Sequence, residues 1–453
     1  MNSFDVFDTL LGRRYFTNEI VLKKLEEEYK IFNFVNLRKN ADNGNKTFEE
    51  IYKELNLGDK TDEIMNREIE LESEMSFPIQ QNIDRVNDGD LLISDMYLPA
   101  SAILQLVRSI GLTKQITIYQ SNGNKSNGKV WMQLQNNKPQ LHVGDNTHSD
   151  FEMAKKFGIS CELYQSSSFT ELELLIFNHN LKHIGLCCRE VRLRSRSNIW
   201  NIIACDLNIP LLFVLAELIF RKRKDYSLVF LGRDCQLLYR LYLAYYGLSY
   251  YLPFSRKVAY SQPNEAVDYL FSHSPSKPLF IDISSTGGTW EFLENKTQIP
   301  LDILVAIYSD LCFYTKKRPL LPQTFSYLMK NTEIGQTNIL IEVFNCGDHG
   351  HLNKINNIGV NPQIQPKLFQ AYFNERELPD EIIKEVHSPI NKVIDLVKYY
   401  KEPIRIELSL LKEEELIEIF RKMSSIMCSQ GQLLDMIKPF LEKENKYLEQ
   451  FDI

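Results

Sequence analysis

Eight cysteines are present, but none forms a CxxC pair, and Cys187 and Cys188 are adjacent, a poor geometry for sharing one metal ion. That argues against a zinc site or a disulfide framework, and a reducing cytoplasm is the expected compartment. Cations are not in excess, since the net charge is -7. A general nucleic-acid binder is excluded, because such binding is driven by cations that displace counterions. No apolar run is long enough to cross a bilayer. The longest, Ile209–Phe220, contains Pro210 and Glu217 and reads as a core helix. No integral membrane segment is expected, and any contact with the inner membrane would be peripheral. The chain opens directly into a strand, so no signal peptide is expected. No internal repeat stands out.

What is present fits an ordinary globular protein: 44% hydrophobic and 25% charged residues. A length of 453 residues suggests two or three domains. The 22 Tyr and 26 Phe could stack on sugars or bases, but such residues more often fill a core.

The stretch Leu279–Trp290 reads as a buried strand, a loop of small residues and a helix start. Asp282 lies at the carboxyl end of the apolar run, where open α/β sheets place their ligands. Ser284, Ser285, Thr286, Gly287, Gly288 and Thr289 follow without a bulky side chain. Hydroxyls, and amides exposed at a helix start, can donate to phosphate oxygens.

The first third alternates strands and helices, which predicts a parallel sheet. Expected strands are Ser3–Asp5, Asp90–Ser94, Ile116–Gln120 and Gln140–Val143, with a long helical region over Thr17–Val86. Polar clusters fall at the strand ends: Asp5 to Thr9, Ser94 with Asp95, and Gly144 with Asp145 through Asp150. Lys125 follows the third strand, with Lys129 as the alternative. In such a sheet these ends share one edge. A carboxylate there can attack phosphorus. Hard carboxylate oxygens suit Mg²⁺. A hydroxyl and a Lys can hold the transferring phosphoryl group.

This constellation resembles the haloacid dehalogenase superfamily over about the first 165 residues. Asp5, Phe7 and Thr9 match its first motif, Ser94 its second, Lys125 its third, and Gly144, Asp145 and Asp150 its fourth. The resemblance implies a Rossmann-like phosphatase domain with a helical cap at about 14–88. Asp5 would be the nucleophile, assisted by Ser94 and Lys125. Mg²⁺ would lie at Asp5, Asp145 and Asp150, with Phe7 at the motif's remaining metal position. Phe7 also stands where most phosphatases of the family carry a general-acid Asp. Losing that proton donor slows alkyl-phosphate hydrolysis by roughly two to four orders of magnitude. Asp8 is adjacent and either replaces the acid or simply caps the turn.

After Ser166–Ser168, a plausible linker, Arg189, Arg192, Arg194 and Arg196 form a cluster. It reads either as a solvated helix face or as a phosphate contact. A second strand-to-turn passage, Ser227–Leu231 into Gly232-Arg233-Asp234-Cys235, could grip pyrophosphate through a guanidinium and exposed amides. Arg256 and Lys257 follow another short strand. Together with the Asp282–Thr289 loop, these are similar to the pyrophosphate loop, basic segment and 5-phosphate loop of type I phosphoribosyltransferases. Ile281 replaces the first of that family's two ribose-binding acids. Glu342, Asn345, Asp348, His349 and His351 make one further polar cluster, read as surface turn residues or as an acceptor or metal contact.

The expected organisation is therefore α/β. It comprises a phosphatase-like domain (1–165), a linker and helix (166–198), a phosphoribosyltransferase-like domain (199–360) and a helical C-terminal region (361–453). The combination resembles bifunctional ribofuranosyltransferases of bacterial surface-polysaccharide (O-antigen or capsule) assembly. It implies phosphoribosyl pyrophosphate as donor, a glycan acceptor, lipid-linked or free, and Mg²⁺ as cofactor. Two alternatives stand beside it. One is a lone sugar-phosphate phosphatase with a non-catalytic sugar-phosphate-binding second domain. The other is a transferase with a dead first site.

Overall fold

The computed structural model describes residues 1–436 apart from 18, 43–45, 196–197, 274–275, 310–324, 334–338, 361–366, 375–377 and 434. These residues form two compact units. One comprises Met1–Glu171 with Arg189–Ser197, the other Leu172–Cys188 with Asn198 onward. Both are α/β with parallel sheets. The end of the expected helical C-terminal region, residues 437–453, lies outside the described residues.

In the first unit the described sheet has five strands: Ser3–Asp5, Leu91–Ser94, Thr117–Gln120, Leu141–Gly144 and Ser160–Leu163. Numbered along the chain, they lie side by side in the order 3-2-1-4-5. Leu91–Ser94 is buried throughout, as a central parallel strand covered on both faces must be. The order reverses at Ser3–Asp5, which pairs with Leu91–Ser94 on one side and Leu141–Gly144 on the other. Neighbouring strands diverge from such a switch point and leave a crevice at their carboxyl ends.

Helices Glu19–Tyr29, Phe34–Ala41, Phe48–Leu55 and Thr61–Glu74 occupy the expected cap region. Thr47 and Glu50 form a capping box at the third, satisfying otherwise orphaned amides. The expected run of helix from Thr17 to Val86 needs correction. An antiparallel pair, Leu11–Arg13 with Ser76–Pro78, flanks the cap. A Cβ on Gly12 would lie 2.4 Å from the Phe77 ring, so only glycine permits that approach.

In the second unit the described sheet consists of Ser227–Leu231, Tyr250–Leu252, Pro278–Ser285, Ile303–Tyr308 and Phe325–Lys330, all parallel, in the order 2-1-3-4-5. Its switch point falls between Ser227–Leu231 and Pro278–Ser285. These are the two strands that run into Arg233 and into the small-residue loop. Ile209–Phe220 belongs to a longer helix, Ile199–Lys222, which passes through a π-helical turn at Ala204–Asn208. The widened turn precedes Pro210, whose ring would clash with a carbonyl of a regular helix. This helix is long and apolar enough to cross a membrane, but 94% of its most apolar window is buried inside the protein, which makes it a core helix. Arg221 at its end donates to the carbonyls of Leu408 and Leu411 at 2.8 and 2.9 Å. It thereby caps helix Val397–Leu410.

The helical reading of 361–453 is also corrected. Lys367–Phe373 pairs antiparallel with Leu352–Val360. Helices Asp380–Asp395, Val397–Leu410 and Glu413–Cys428 then follow within the second unit.

Candidate functional site

The register places Asp5 opposite Ile93, one residue short of Ser94, while Phe4 faces Val143, one short of Gly144. Asp5, Ser94 and Asp145 therefore leave adjacent strands at one edge. Asp5 is 7% exposed and Lys125 only 2%. The Lys125 ammonium donates to an Asp5 oxygen and to Asp150 Oδ1, the latter at 2.7 Å. Lys129 is exposed at the start of its helix, so Lys125 is the lysine at this edge.

The lysine loop is built on Asp95, which accepts the Lys125 backbone N–H at 3.1 Å and the Ser121 hydroxyl. Ser94 is buried, and its hydroxyl accepts the Met96 N–H. Asp150 is likewise fully engaged. Its Oδ1 also meets His142 Nε2 at 3.3 Å, and its Oδ2 accepts the Asn146 N–H at 3.1 Å. His142 Nδ1 in turn meets the Ser3 hydroxyl at 2.8 Å. Trp131 packs edge-on to the His142 ring and donates to the Ser149 carbonyl at 3.2 Å, bracing the same turn.

The charges sort these carboxylates into two kinds. Burial raises Asp5 well above the usual carboxylate range, and Asp150 and Asp145 add to that, against the opposing pull of Lys125. Burial, then Asp8 and Asp150, push Asp145 up to about 6. Burial works the same way on Asp150, but the His142 hydrogen bond and Lys125 outweigh it and draw Asp150 down to about 2. Burial also keeps His142 below its ordinary value. Lys125 is held above its own despite burial, by Asp5 and Asp150. So Asp150 is satisfied as an anion, while Asp5, which shares Lys125 with it, and Asp145 stay short of countercharge. Among the described residues, Asp5, Asp145 and Asp150 are the acidic group with ligand atoms all within 4.8 Å of one another. Hard oxygens short of countercharge fit a small divalent cation. The Phe7 ring is buried in the core, so Phe7 could offer a metal only its carbonyl.

Asp8 sits on the left-handed turn with φ +56°. Its Oδ2 accepts from Arg13 at 2.9 Å and its Oδ1 from Arg189 at 2.9 Å. With a guanidinium on each oxygen it is placed as the clamp of the turn rather than as an acid. Of the two readings of the arginine cluster, the solvated face does not hold for Arg189. It is 6% exposed and also donates to the Ser167 carbonyl at 2.7 Å. Arg192 binds the carbonyls of Ser166 and Ser168, and Arg194 bonds Glu190. Arg196 lies outside the described residues. Tyr97 donates to the cap residue Glu68 at 2.9 Å.

In the second unit, Gly232 (φ +75°) turns the first strand into Arg233-Asp234-Cys235. Cys235 is buried, with its thiol 3.5 Å from the Ile281 carbonyl. Burial raises Asp282 well above its usual range, and Asp234 and Glu342 add to it while Arg256 opposes. Asp234 is raised by burial against the pull of Arg233, His351 and Arg256. The charges of Asp234, Asp282, Glu342, Arg233, Arg256 and His351 are thus felt around one locus. Lys257 is the next residue along the helix that Arg256 begins. Ile281 is buried in mid-strand, on the face opposite Asp282. The carboxylates whose charge acts on Asp282 are those of Asp234 and Glu342. In the loop, the Ser285 hydroxyl accepts the Gly287 N–H at 3.2 Å, and Gly287 has φ +84°. Gly288 opens helix Gly288–Thr297, Thr289 is buried in its first turn, and Thr286 is partly exposed.

Sequence reasoning named Asp95 without giving it a role and passed over His142 and Arg13. Asp95 was visible beside Ser94, but nothing local marks the other two. No family model matches this chain, and no curated protein matches it.

Proposed function

We propose that the chain is a two-step ribofuranosyltransferase of surface-polysaccharide assembly. A phosphoribosyltransferase-like second unit would add 5-phosphoribose to a glycan acceptor, and a haloacid-dehalogenase-like first unit would remove the phosphate. The observation that carries the first half is the Lys125 ammonium bound to both Asp5 and Asp150 at the switch point of a 3-2-1-4-5 sheet. In this reading Asp5 attacks phosphorus, and Lys125 and Ser94 hold the phosphoryl oxygens. Asp5 and Asp145 would hold Mg²⁺, which would offset charge on the phosphoryl group.

The second half rests on the division of charge around Asp282. Carboxylates at Asp282, Asp234 and Glu342 suit the neutral hydroxyls of ribose. Arg233 and Arg256 suit pyrophosphate. The loop of Ser285, Thr286, Gly287, Gly288 and Thr289 suits the 5-phosphate, through amides at the start of a ten-residue helix. An acceptor hydroxyl then displaces pyrophosphate at the anomeric carbon. Removing the 5-phosphate makes the sequence irreversible in practice.

Incubation with phosphoribosyl pyrophosphate, Mg²⁺ and a glycan acceptor tests this. The acceptor should gain phosphoribose and then lose phosphate. Asp5→Asn should trap the phosphorylated glycan; loss of sugar transfer in that variant refutes the division of labour. The occupied oxygens of Asp8 favour one competing reading, a first site without turnover. Equal phosphate release by the native chain and Asp5→Asn would select it.

A further inference from the structure

With Phe7 apolar and both Asp8 oxygens occupied, no acid on the first turn is placed to protonate a departing alkoxide. We infer that the Arg13 guanidinium, stacked over Phe7, meets the leaving oxygen of the phosphoester cleaved at Asp5. This rests on the phosphatase reading of Asp5 and names the group that stabilises its leaving group.

Arg13 closes the short strand Leu11–Arg13, two residues of which pair with Phe77 and Ser76. Its guanidinium carbon lies 5.2 Å from the Phe7 ring centroid and 5.6 Å from that of Tyr15. Its Nη2 binds Asp8 Oδ2 at 2.9 Å. Thr9, next to Asp8 on the same turn, donates to Asp145 Oδ1 at 3.4 Å, and Asp145 lies with Asp5 in the carboxylate group. Arg13 is thus bonded to the turn that meets that group, above the side chain that replaces the acid. Burial would weaken its charge, but Asp8 more than offsets this and keeps it a cation.

The neighbouring arginine makes the contrast. Arg189 is 7% exposed at the side chain and spends its nitrogens on Ser167, Arg13 and Asp8. It also lies over the Phe169 ring at 5.1 Å. Its part is to hold the turn. The Arg13 side chain is 19% exposed, so a substrate can reach it.

The step balances without a protein acid. An Asp5 oxygen forms a bond to phosphorus as the ester P–O bond breaks and leaves its electron pair on the sugar oxygen. Arg13 donates a hydrogen bond to that oxygen, which takes its proton from water. The hydroxide so formed is consumed when the aspartyl phosphate is hydrolysed. A fixed guanidinium aimed at developing charge acts as an oxyanion donor does, and removing one such donor costs about 10²–10³ in rate.

The test is a series of phosphate monoesters, from alkyl phosphates to dinitrophenyl phosphate, turned over by the native chain and by Arg13→Met. The Met side chain keeps the apolar stem over Phe7 and removes the donor. For alkyl esters kcat/KM should fall about 100-fold. Dinitrophenyl phosphate, whose leaving group needs no help, should be cleaved as before. The dependence of rate on leaving-group pKa therefore steepens. A uniform loss along the series, or an unchanged slope, overturns the inference. Should Arg13→Met not fold, Arg13→Gln, which keeps polar bonding but drops the charge, serves instead: it should steepen the slope less, and no steepening overturns the inference equally. If dinitrophenyl phosphate is not hydrolysed at all, or is hydrolysed equally by Asp5→Asn, the phosphatase reading falls and the inference with it. Asp5-dependent activity with an unaltered slope sinks the role of Arg13 alone.

Discussion

Replacing Asp145 by Asn should make the metal-free first unit more stable at pH 8 while removing its response to Mg²⁺. Asp145 is raised from 3.8 to about 6 by burial and by the charges of Asp8 and Asp150. A carboxyl whose folded value is raised binds its proton more tightly in the fold than in the unfolded chain. Stability therefore falls as pH rises from about 4 to about 6 and stays low above that. The difference of 2.2 units, at 1.36 kcal/mol each, caps the penalty at about 3 kcal/mol. Asn keeps the Oδ1 that accepts from the Thr9 hydroxyl at 3.4 Å, so the charge is the main change. Amide hydrogen exchange on Ser3–Asp5 and Leu141–Gly144 reads the effect locally, which matters in a chain of two units. The variant should gain protection over the native chain at pH 8 and none near pH 4. Mg²⁺ should protect the native strands more at pH 8 than at pH 5 and should do little for Asp145→Asn. If the metal-free variant gains nothing at pH 8, or Mg²⁺ protects both chains equally, the charge argument for this site is wrong.

Two further substitutions separate structure from function. Arg14 and Glu190 form a buried two-bond pair, with nitrogen–oxygen distances of 2.6 and 2.8 Å. Arg14→Met removes the two closest bonds of the buried Glu190, leaving Arg194 at 3.2 Å, and should cost up to about 3–5 kcal/mol, read as a lowered Tm; adding Glu190→Leu should restore most of it. A melting temperature unmoved by Arg14→Met would show that the pair contributes nothing. Gly287→Val forces a β-branched residue into φ +84°, a strain of about 1–2 kcal/mol. Calorimetric titration should show loss of phosphoribosyl pyrophosphate binding, with phosphate release at Asp5 intact. Unchanged binding would remove this loop from the site.

Much of both sheets was legible because central parallel strands are short apolar runs ended by polar residues. Leu91–Ser94 and Leu141–Gly144 lie within one residue of their expected bounds, while Pro278–Ser285 covers its expected apolar run but continues through Ser284 and Ser285, read from sequence as loop. Several strands escaped, Ser160–Leu163, Phe325–Lys330 and Lys367–Phe373 among them. Leu11–Arg13 and Ser76–Pro78 span three residues each, too few for any period to show. Leu352–Val360 has Ile355, Ile358 and Val360, but three Asn and a Gly break any apolar–polar alternation along it.

The candidate sites divide in the same way, and the reason is chemical. Nucleophiles and phosphate loops sit at strand ends, where local sequence announces them. Their partners are chosen by position in space. Lys125 finds Asp5 across 120 residues, and Arg189 finds Asp8 across 181. The Ile281 substitution shows what this costs a reading of single positions. Side chains alternate along a strand, so residues 281 and 282 point to opposite faces. An acid at 281 would face the packed side of the sheet, where Ile281 is now 1% exposed. Its absence is therefore no evidence against a paired-carboxylate site. The sheet order sets Ser227–Leu231 beside Pro278–Ser285, and that adjacency brings the charge of Asp234 to bear on Asp282. At Phe7, too, the neighbour that matters is set by the fold: the Arg13 guanidinium lies over the ring at 5.2 Å.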